Sequence, residues 1–336
     1  MGLDAGLTTR TDTFPTDFDR LRKNRILAAM RILYMGTPDF AVPALATLLD
    51  NGYEVVAVVT APDKPAGRGL QMKASPVKEF ALRKGLRILQ PEKLKDPAFL
   101  DTLQSLDLDL AIVVAFRMLP EVVWRLPKKG TFNLHASLLP QYRGAAPINW
   151  AVMNGETQTG LTTFFLEKEI DTGEILMQQQ VEIPDEWTAG QLHDHLMQVG
   201  AELVLQTVRG IAAQQLHPTP QILAENHRPA PKIFKETCEI KWGRTAKEVY
   251  DFIRGLSPFP TAWTTVDGKQ WKIFKARKTM EATAIPPGSL QLHGGKLRVA
   301  CSDEWLEITE LQMEGKSKMD TASFLNGYKG GLEHAG

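Results

Sequence analysis

Leu110-Ala111-Ile112-Val113-Val114-Ala115 carries no polar side chain at any position. A strand with one wet face alternates apolar and polar residues. An unbroken apolar run bounded by polar segments instead predicts a strand covered on both faces, as in the middle of a parallel sheet flanked by helices. Working outward from this strand, placed at 109–115, shorter β-branched runs occupy 31–35, 54–60, 86–89 and 131–134. Segments 41–51, 76–84, 97–105 and 147–154 between them have helical character. Alternating strands and helices predict a doubly wound, Rossmann-like, mostly parallel sheet with ligands at the carboxyl ends of its strands. Thr188 and Gln191 stand at capping-box spacing and open a helix expected to run to about residue 213.

The rest of the chain bounds this reading. With 336 residues, 43% hydrophobic and 23% charged, it has material for two cores and is not a largely disordered chain. Lys+Arg and Asp+Glu balance at 39 each, so attraction to a polyanion must come from local asymmetry. Two cysteines, Cys238 and Cys301, exclude a disulfide framework and suit a reducing, cytoplasmic compartment. No apolar run is long enough to span a bilayer, so no membrane partner is expected. Residues 1–29 are polar and lack the apolar core of a secretory signal. They read as a disordered leader, with Met30 as the working start. A catalytic domain is expected over 30–214. Pro218, Pro220, Pro229 and Pro231 mark 215–235 as an extended linker. Beyond it, a helix at 246–256 precedes short alternating runs near 263–266, 270–276, 297–301 and 305–311. Asp267-Gly268 and Gly294-Gly295 are hairpin signals between them. These predict a smaller OB-like antiparallel β-barrel over 236–331.

Chemistry concentrates in Asn133-Leu134-His135-Ala136-Ser137-Leu138-Leu139-Pro140, then Arg143-Gly144, then Asp171-Thr172-Gly173. Asn133 and His135 alternate at i and i+2, so on a strand they project from one face. They end a predicted strand, where this architecture places ligands. An amide beside an imidazolium is a donor pair suited to a developing oxyanion. Asp171, in a Gly-containing loop, could orient the imidazole or relay a proton. Taken singly, a strand-end histidine is more often packing and an Asp-Thr-Gly loop is more often a turn; only their combination points to a site.

That combination resembles the signature of the folate-dependent formyltransferases. The likeness extends from Met30 to about Gly331. It includes Gly36-Thr37-Pro38-Asp39-Phe40, the loop Pro62 to Gly69, Ser75-Pro76-Val77-Lys78 and Ile253 to Pro260. The Pro65-Ala66-Gly67-Arg68-Gly69 loop and the appended barrel resemble the tRNA-specific branch. The resemblance implies formyl transfer from 10-formyltetrahydrofolate, as co-substrate, to the α-amine of methionyl initiator tRNA, for translation initiation. It implies no metal, and monomer is the expected state. It assigns catalysis to Asn133, His135 and Asp171. The folate contacts it implies are Ala115, Phe116 and Arg117 after one strand, and Ser137, Leu138, Leu139 and Pro140 in the next turn. Where many members read Tyr-Gly, this chain has Phe116-Arg117, which leaves the pterin contacts open.

Segment 62–95 holds nine basic and three acidic residues, +6 in a neutral chain. Lys64, Arg68 and Lys73 flank or top its Gly- and Pro-bounded loop, expected to be mobile. Arg68 is suited to bidentate phosphate contact. Lys272 and Lys275 lie in a basic run, 269–278, interleaved with Trp271 and Phe274, as on a nucleic-acid surface. The alternatives are a solvated loop in the first case, and core aromatics with edge-protecting lysines in the second. A formyltransferase acting on a small amine, an amino sugar or a ribonucleotide, would share the three catalytic residues without needing the loop or barrel. A nicotinamide-dependent oxidoreductase would show GxGxxG where Gly36-Thr37-Pro38 stands. A non-catalytic tRNA-binding protein would have no use for the Asn-His-Asp set. His193 and His195 sit at i and i+2 of a predicted helix and do not face each other, which argues against a metal pair.

Overall fold

The protein is described from a computed structural model that covers residues 30–66, 71–223 and 225–327. The leader and Arg68 lie outside the described residues. The first sheet has seven strands: β1 (Arg31–Gly36), β2 (Glu54–Val59), β5 (Ile88–Leu89), β6 (Leu110–Val114), β7 (Thr131–His135), β8 (Gln158–Phe165) and β9 (Ile175–Glu182). Their order is β5-β2-β1-β6-β7-β8-β9. The first five are parallel, and β8 and β9 are antiparallel additions. The chain builds outward from β1 to β5 and then crosses back to β6. The strand order therefore reverses between β1 and β6, which opens a crevice at their carboxyl ends. Gly36 ends β1 there: a Cβ would lie 2.6 Å from that of Ala41 and 3.1 Å from the Val114 carbonyl oxygen.

All five residues of β6 are buried, as its apolar run requires. One core lies between the sheet and helices α1 (Val42–Asp50) and α6 (Ala189–Ala212). A second lies on the other face, with α3 (Pro97–Ser105). Helices α2 (Pro76–Arg83), α3 and α5 (Pro147–Met153) each open on proline, whose missing N–H costs nothing in a first turn. Ser75 and Asp96 cap α2 and α3, and a short helix α4 (Glu121–Trp124) lies between β6 and β7. Thr188 and Gln191 form the expected reciprocal box at the start of α6. Such caps contribute about 1 kcal/mol each.

Three features depart from the sequence reading. Strands β8 and β9 were not foreseen. The first is Thr-rich with a glycine, and the second is an edge strand whose Gln178-Gln179-Gln180 runs polar. The basic loop is not wholly irregular, because β3 (Lys64–Ala66) and β4 (Gln71–Lys73) pair as an antiparallel ribbon. The linker does not hang free. Thr219 pairs with Ile175, and Ala230 with Gly144.

The C-terminal part is an antiparallel β-sheet domain. It contains α7 (Ala246–Gly255), β10 (Ala262–Val266), β11 (Lys269–Ala282), β12 (Leu290–His293), β13 (Lys296–Ala300), β14 (Glu304–Met313), β15 (Met319–Asp320) and α8 (Thr321–Gly327). Strand order is β10-β11-β14-β13-β12, with β15 beside β14. Asp267-Gly268 and Gly294-Gly295 form the two predicted hairpin turns, all four residues at positive φ. Trp271 and Phe274 are core residues, not surface aromatics. A bulge between Ile273 and Lys275 breaks the two-residue alternation, so Ile273 and Phe274 are both buried. α7 packs on α5. Asn149 donates to the Gly255 carbonyl (2.8 Å), and Gly255 meets the Met153 backbone so closely that a Cβ would fall 2.6 Å from its nitrogen.

Candidate active site

The carboxyl ends of β6 and β7 open into a cleft of about 700 Å³ at the predicted crevice. Asn133, His135 and Asp171 all line it. His135 is buried, and its Nε2 lies 2.8 Å from the Tyr142 carbonyl oxygen. A carbonyl can only accept, so Nε2 carries the proton and Nδ1 is the nitrogen left for chemistry. Nδ1 stands 3.8 Å from Asp171 Oδ2, a distance for charge pairing but not for a hydrogen bond. Asp171 Oδ2 accepts instead from the Gly144 N–H, at 2.9 Å. No hydrogen bond to another described residue engages the Asn133 side-chain amide, which faces the cleft with its donors free.

The backbone that holds this set is specialised. Asp171 has φ of 55° and Ala115, just past β6, has φ of 47°. Left-handed backbone at non-glycine residues is costly and concentrates at functional sites. Gly173 fits under Phe165 only because it lacks a side chain: a Cβ would lie 1.8 Å from the Phe165 carbonyl oxygen. Tyr142, whose carbonyl orients His135, is itself pinned by its hydroxyl donating to Glu156 at 2.6 Å. Burial first, and then this carboxylate, pushes the Tyr142 phenol above its usual pKa.

Of the residues expected to meet folate, Ala115, Phe116 and Arg117 line the cleft. Ser137, Leu138, Leu139 and Pro140 do not. Ser137 is fully buried and its hydroxyl donates to the Gln141 carbonyl, while Leu139 N donates to Thr162. The Ser137 hydroxyl and the Leu139 N–H are thus engaged within the protein. The rest of the lining was missed by sequence reading. It includes Phe40, Met118, Trp124, Ile170 and His193. Met118 and Ile170 are 71% and 58% exposed, an apolar lining with nothing packed on it. Their signal in the sequence was only adjacency to Phe116 and Asp171. His193 packs against Phe40 and His195 against Trp187, so the two histidines face different neighbours.

A second groove of about 560 Å³ adjoins the cleft and shares Ala145, Ala146 and Asn149 with it. Its other wall carries Lys232, Lys235, Phe259 and Lys272. Lys272 is exposed, with no carboxylate within 4 Å among the described residues. Lys275 instead pairs with Glu310, Arg277 with Glu307 and Lys278 with Asp185. On β3 and β4, Lys64 and Lys73 are directly opposed, and neither has an ion pair among the described residues.

The profile of the Formyl transferase family matches residues 30–208, and that of the Formyl transferase C-terminal domain matches residues 232–329. The chain belongs to the formyl transferase family. Among curated relatives of this formyl transferase is a methionyl-tRNA formyltransferase from Phocaeicola vulgatus, 55% identical over 311 residues, 89% of this chain and 96% of the relative. A methionyl-tRNA formyltransferase from Bacteroides thetaiotaomicron is 53% identical over 309 residues, with the same two coverages. Solved structures share the fold at lower identity. An N-formyltransferase from Helicobacter canadensis has a TM-score of 0.63 at 18% identity, covering 86% of this formyl transferase and 100% of its own chain. HypX from Aquifex aeolicus has a TM-score of 0.61 at 21% identity, covering 89% of this chain but only 49% of HypX. Among the described residues no helix is long and apolar enough to cross a membrane.

Proposed function

We propose that this formyl transferase moves the formyl group of 10-formyltetrahydrofolate to the α-amine of methionyl initiator tRNA, acting as a cytoplasmic monomer. The observation that carries formyl transfer is the convergence of Asn133, His135 and Asp171 on one cleft at the strand-order reversal. The cleft suits a flat heterocycle: Phe116, Met118, Trp124 and Ile170 offer apolar faces, and the volume is that of a small-molecule site. When bound, the folate supplies the electrophilic formyl carbon, and the neutral methionyl amine is the nucleophile.

As the amine attacks, negative charge gathers on the formyl oxygen. The free Asn133 amide and protonated His135 Nδ1 donate to it, and one such donor is worth roughly 3–4 kcal/mol in a dry site. The Tyr142 carbonyl keeps Nε2–H turned away, so that Nδ1 is the nitrogen presented. The Asp171 carboxylate stabilises the imidazolium and takes part in removing the proton that the amine must lose on becoming an amide. That proton, or its equivalent, is delivered to the departing folate nitrogen.

A tRNA acceptor rather than a small amine is supported by the groove continuous with the cleft. Lys232, Lys235 and Lys272 line it beside Phe259, which is 80% exposed. Cations flanking an exposed ring suit a single-stranded nucleic-acid end. The opposed Lys64 and Lys73 add a second cationic element, and Arg68, between them in sequence, is a further proposed phosphate contact. Lys275, ion-paired to Glu310, is the weakest of the proposed contacts. The deciding assay measures formyl transfer from 10-formyltetrahydrofolate to methionyl-tRNA beside amino-sugar nucleotides and free methionine. Transfer to tRNA at least a hundredfold more efficient is expected; preference for a small amine would overturn the proposal.

A further inference from the structure

Gln221 lies in the Pro-rich segment between the two domains, outside every motif singled out in the sequence. Its side chain is nonetheless fully engaged at the Asp171 loop. Nε2 donates to the carbonyl of Asp171 (2.9 Å) and to that of Gly173 (2.8 Å). Oε1 accepts from Arg143 Nε (3.1 Å) and Nη2 (2.7 Å). Arg143 is followed by Gly144, whose N–H holds Asp171 Oδ2. A closed ring results: Arg143-Gly144 to the Asp171 carboxylate, along the loop backbone to Gln221, and back to Arg143. The segment carrying Gln221 is fastened on both sides, by Thr219 to Ile175 and by Ala230 to Gly144. At its far end the Arg228 carbonyl accepts from Tyr142 N–H, next to the carbonyl that orients His135.

We infer that Gln221 is a positioning residue for formyl transfer, holding the Asp171 carboxylate at its working distance from His135 Nδ1. The inference rests on the reading of Asp171 and His135 as a catalytic pair. Asp171 sits in left-handed backbone, a conformation that carries a cost for a non-glycine residue. Two donors from one amide fix two carbonyls of the loop, those of Asp171 and Gly173, without a second side chain. No other residue type of this length supplies two N–H donors to the loop and an acceptor to a guanidinium.

The test uses the full chain, with kcat and KM measured for both substrates. Gln221→Leu keeps the volume and removes every hydrogen bond. Gln221→Glu keeps the acceptor for Arg143 and loses both donors. Each is expected to lower kcat by about 10- to 100-fold, the scale of a misplacement near 1 Å, with both KM values within about twofold. In an Asp171→Asn background the same substitutions should cost less than about twofold, because the group they position is already lost. Wild-type kcat in both single variants, an undiminished cost in the Asp171→Asn background, or a change in KM alone would overturn the inference. Failure of both variants to fold, seen by circular dichroism, would assign Gln221 to stability and also overturn it. Wild-type kcat in Asp171→Asn alone would instead remove the catalytic pair on which the inference rests.

Discussion

Asn133 and His135 differ in what surrounds them, and that difference gives their roles separate signatures. The Asn133 amide has no protein partner among the described residues, so Asn133→Ala removes a donor without leaving an orphaned group behind. Its kcat should fall by about 10²- to 10³-fold with little change in melting temperature. His135→Ala leaves the Tyr142 carbonyl without its partner, so it should lose kcat and some stability together. Asp171→Ala frees the Gly144 N–H and should behave like His135→Ala. Steady-state kinetics beside thermal melts checks all three; near-normal turnover throughout would remove the assignment. These residues were legible because the chemistry needs particular side chains at particular spacings. Gln221 and Tyr142 were not, since a glutamine in a linker and a backbone carbonyl carry no side-chain pattern. The cysteines make a different prediction. Burial pushes the Cys301 thiol up to about 12, and burial also raises Cys238. At pH 8 only about one Cys301 in ten thousand would be thiolate, the reactive form. Neither cysteine should be alkylated by iodoacetamide in the native protein, and both should react once it is unfolded; rapid native labelling would contradict the packing around them.

An unbroken apolar run was easy to read as a strand, whereas the Thr-rich β8 and the Gln-rich β9 were not. β6 announced itself through five consecutive apolar residues, whereas β9 presents three glutamines on an edge and shows no apolar periodicity. β11 shows the same limit from the other side. Its aromatics looked like a nucleic-acid surface because a bulge, invisible in the sequence, turns Phe274 inward beside Ile273. The cationic surface is better sought on the β3–β4 ribbon. Lys64 and Lys73 face each other across the ladder, where like charges are destabilising. A pair retained at that cost fits a polyanionic partner. Asp63, at the base of the ribbon, is engaged by Lys78 and Gln90, and hydrogen bonding to Lys78 holds its carboxyl below the usual range. It therefore does not neutralise the opposed lysines. Replacing both Lys64 and Lys73 by alanine should weaken tRNA binding and leave the KM for folate unchanged. The slope of log affinity against log salt should flatten by about 0.7–0.9 for each phosphate that is no longer neutralised. Melting temperature should hold or rise slightly. A fall in stability with unchanged tRNA affinity would make the ribbon structural.

At the scale of the whole molecule, the part of the linker from Thr219 to Pro231 belongs mechanically to the first domain. It pairs with β9 through Thr219, clamps the Asp171 loop through Gln221 and lies against Gly144 through Ala230. The Trp150 indole N–H donates to the Pro231 carbonyl at its far end. Where the chain is cut should therefore matter more than how much of the second domain is removed. A fragment ending just after Pro231 keeps the sheet, the cleft and the whole clamp. A fragment ending near residue 216 keeps every proposed catalytic side chain but loses the clamp. Both lack the hydrogen bonds that join the domains, including Asn149 to Gly255, Tyr250 to Asp185 and Arg254 to Trp187, so both expose some apolar surface on α5. Circular dichroism must first establish that each is folded. The longer fragment should bind folate as the full chain does and formylate methionyl-tRNA poorly. Removal of Lys272 and its groove should raise the KM for tRNA and flatten its salt dependence. The shorter fragment should show an additional fall in kcat at saturating substrate, because the Asp171 loop is released. Equal kcat in the two folded fragments would place the linker outside the catalytic apparatus. Full tRNA affinity in the longer one would reduce the second domain to a structural support, and the cationic groove would then need another partner.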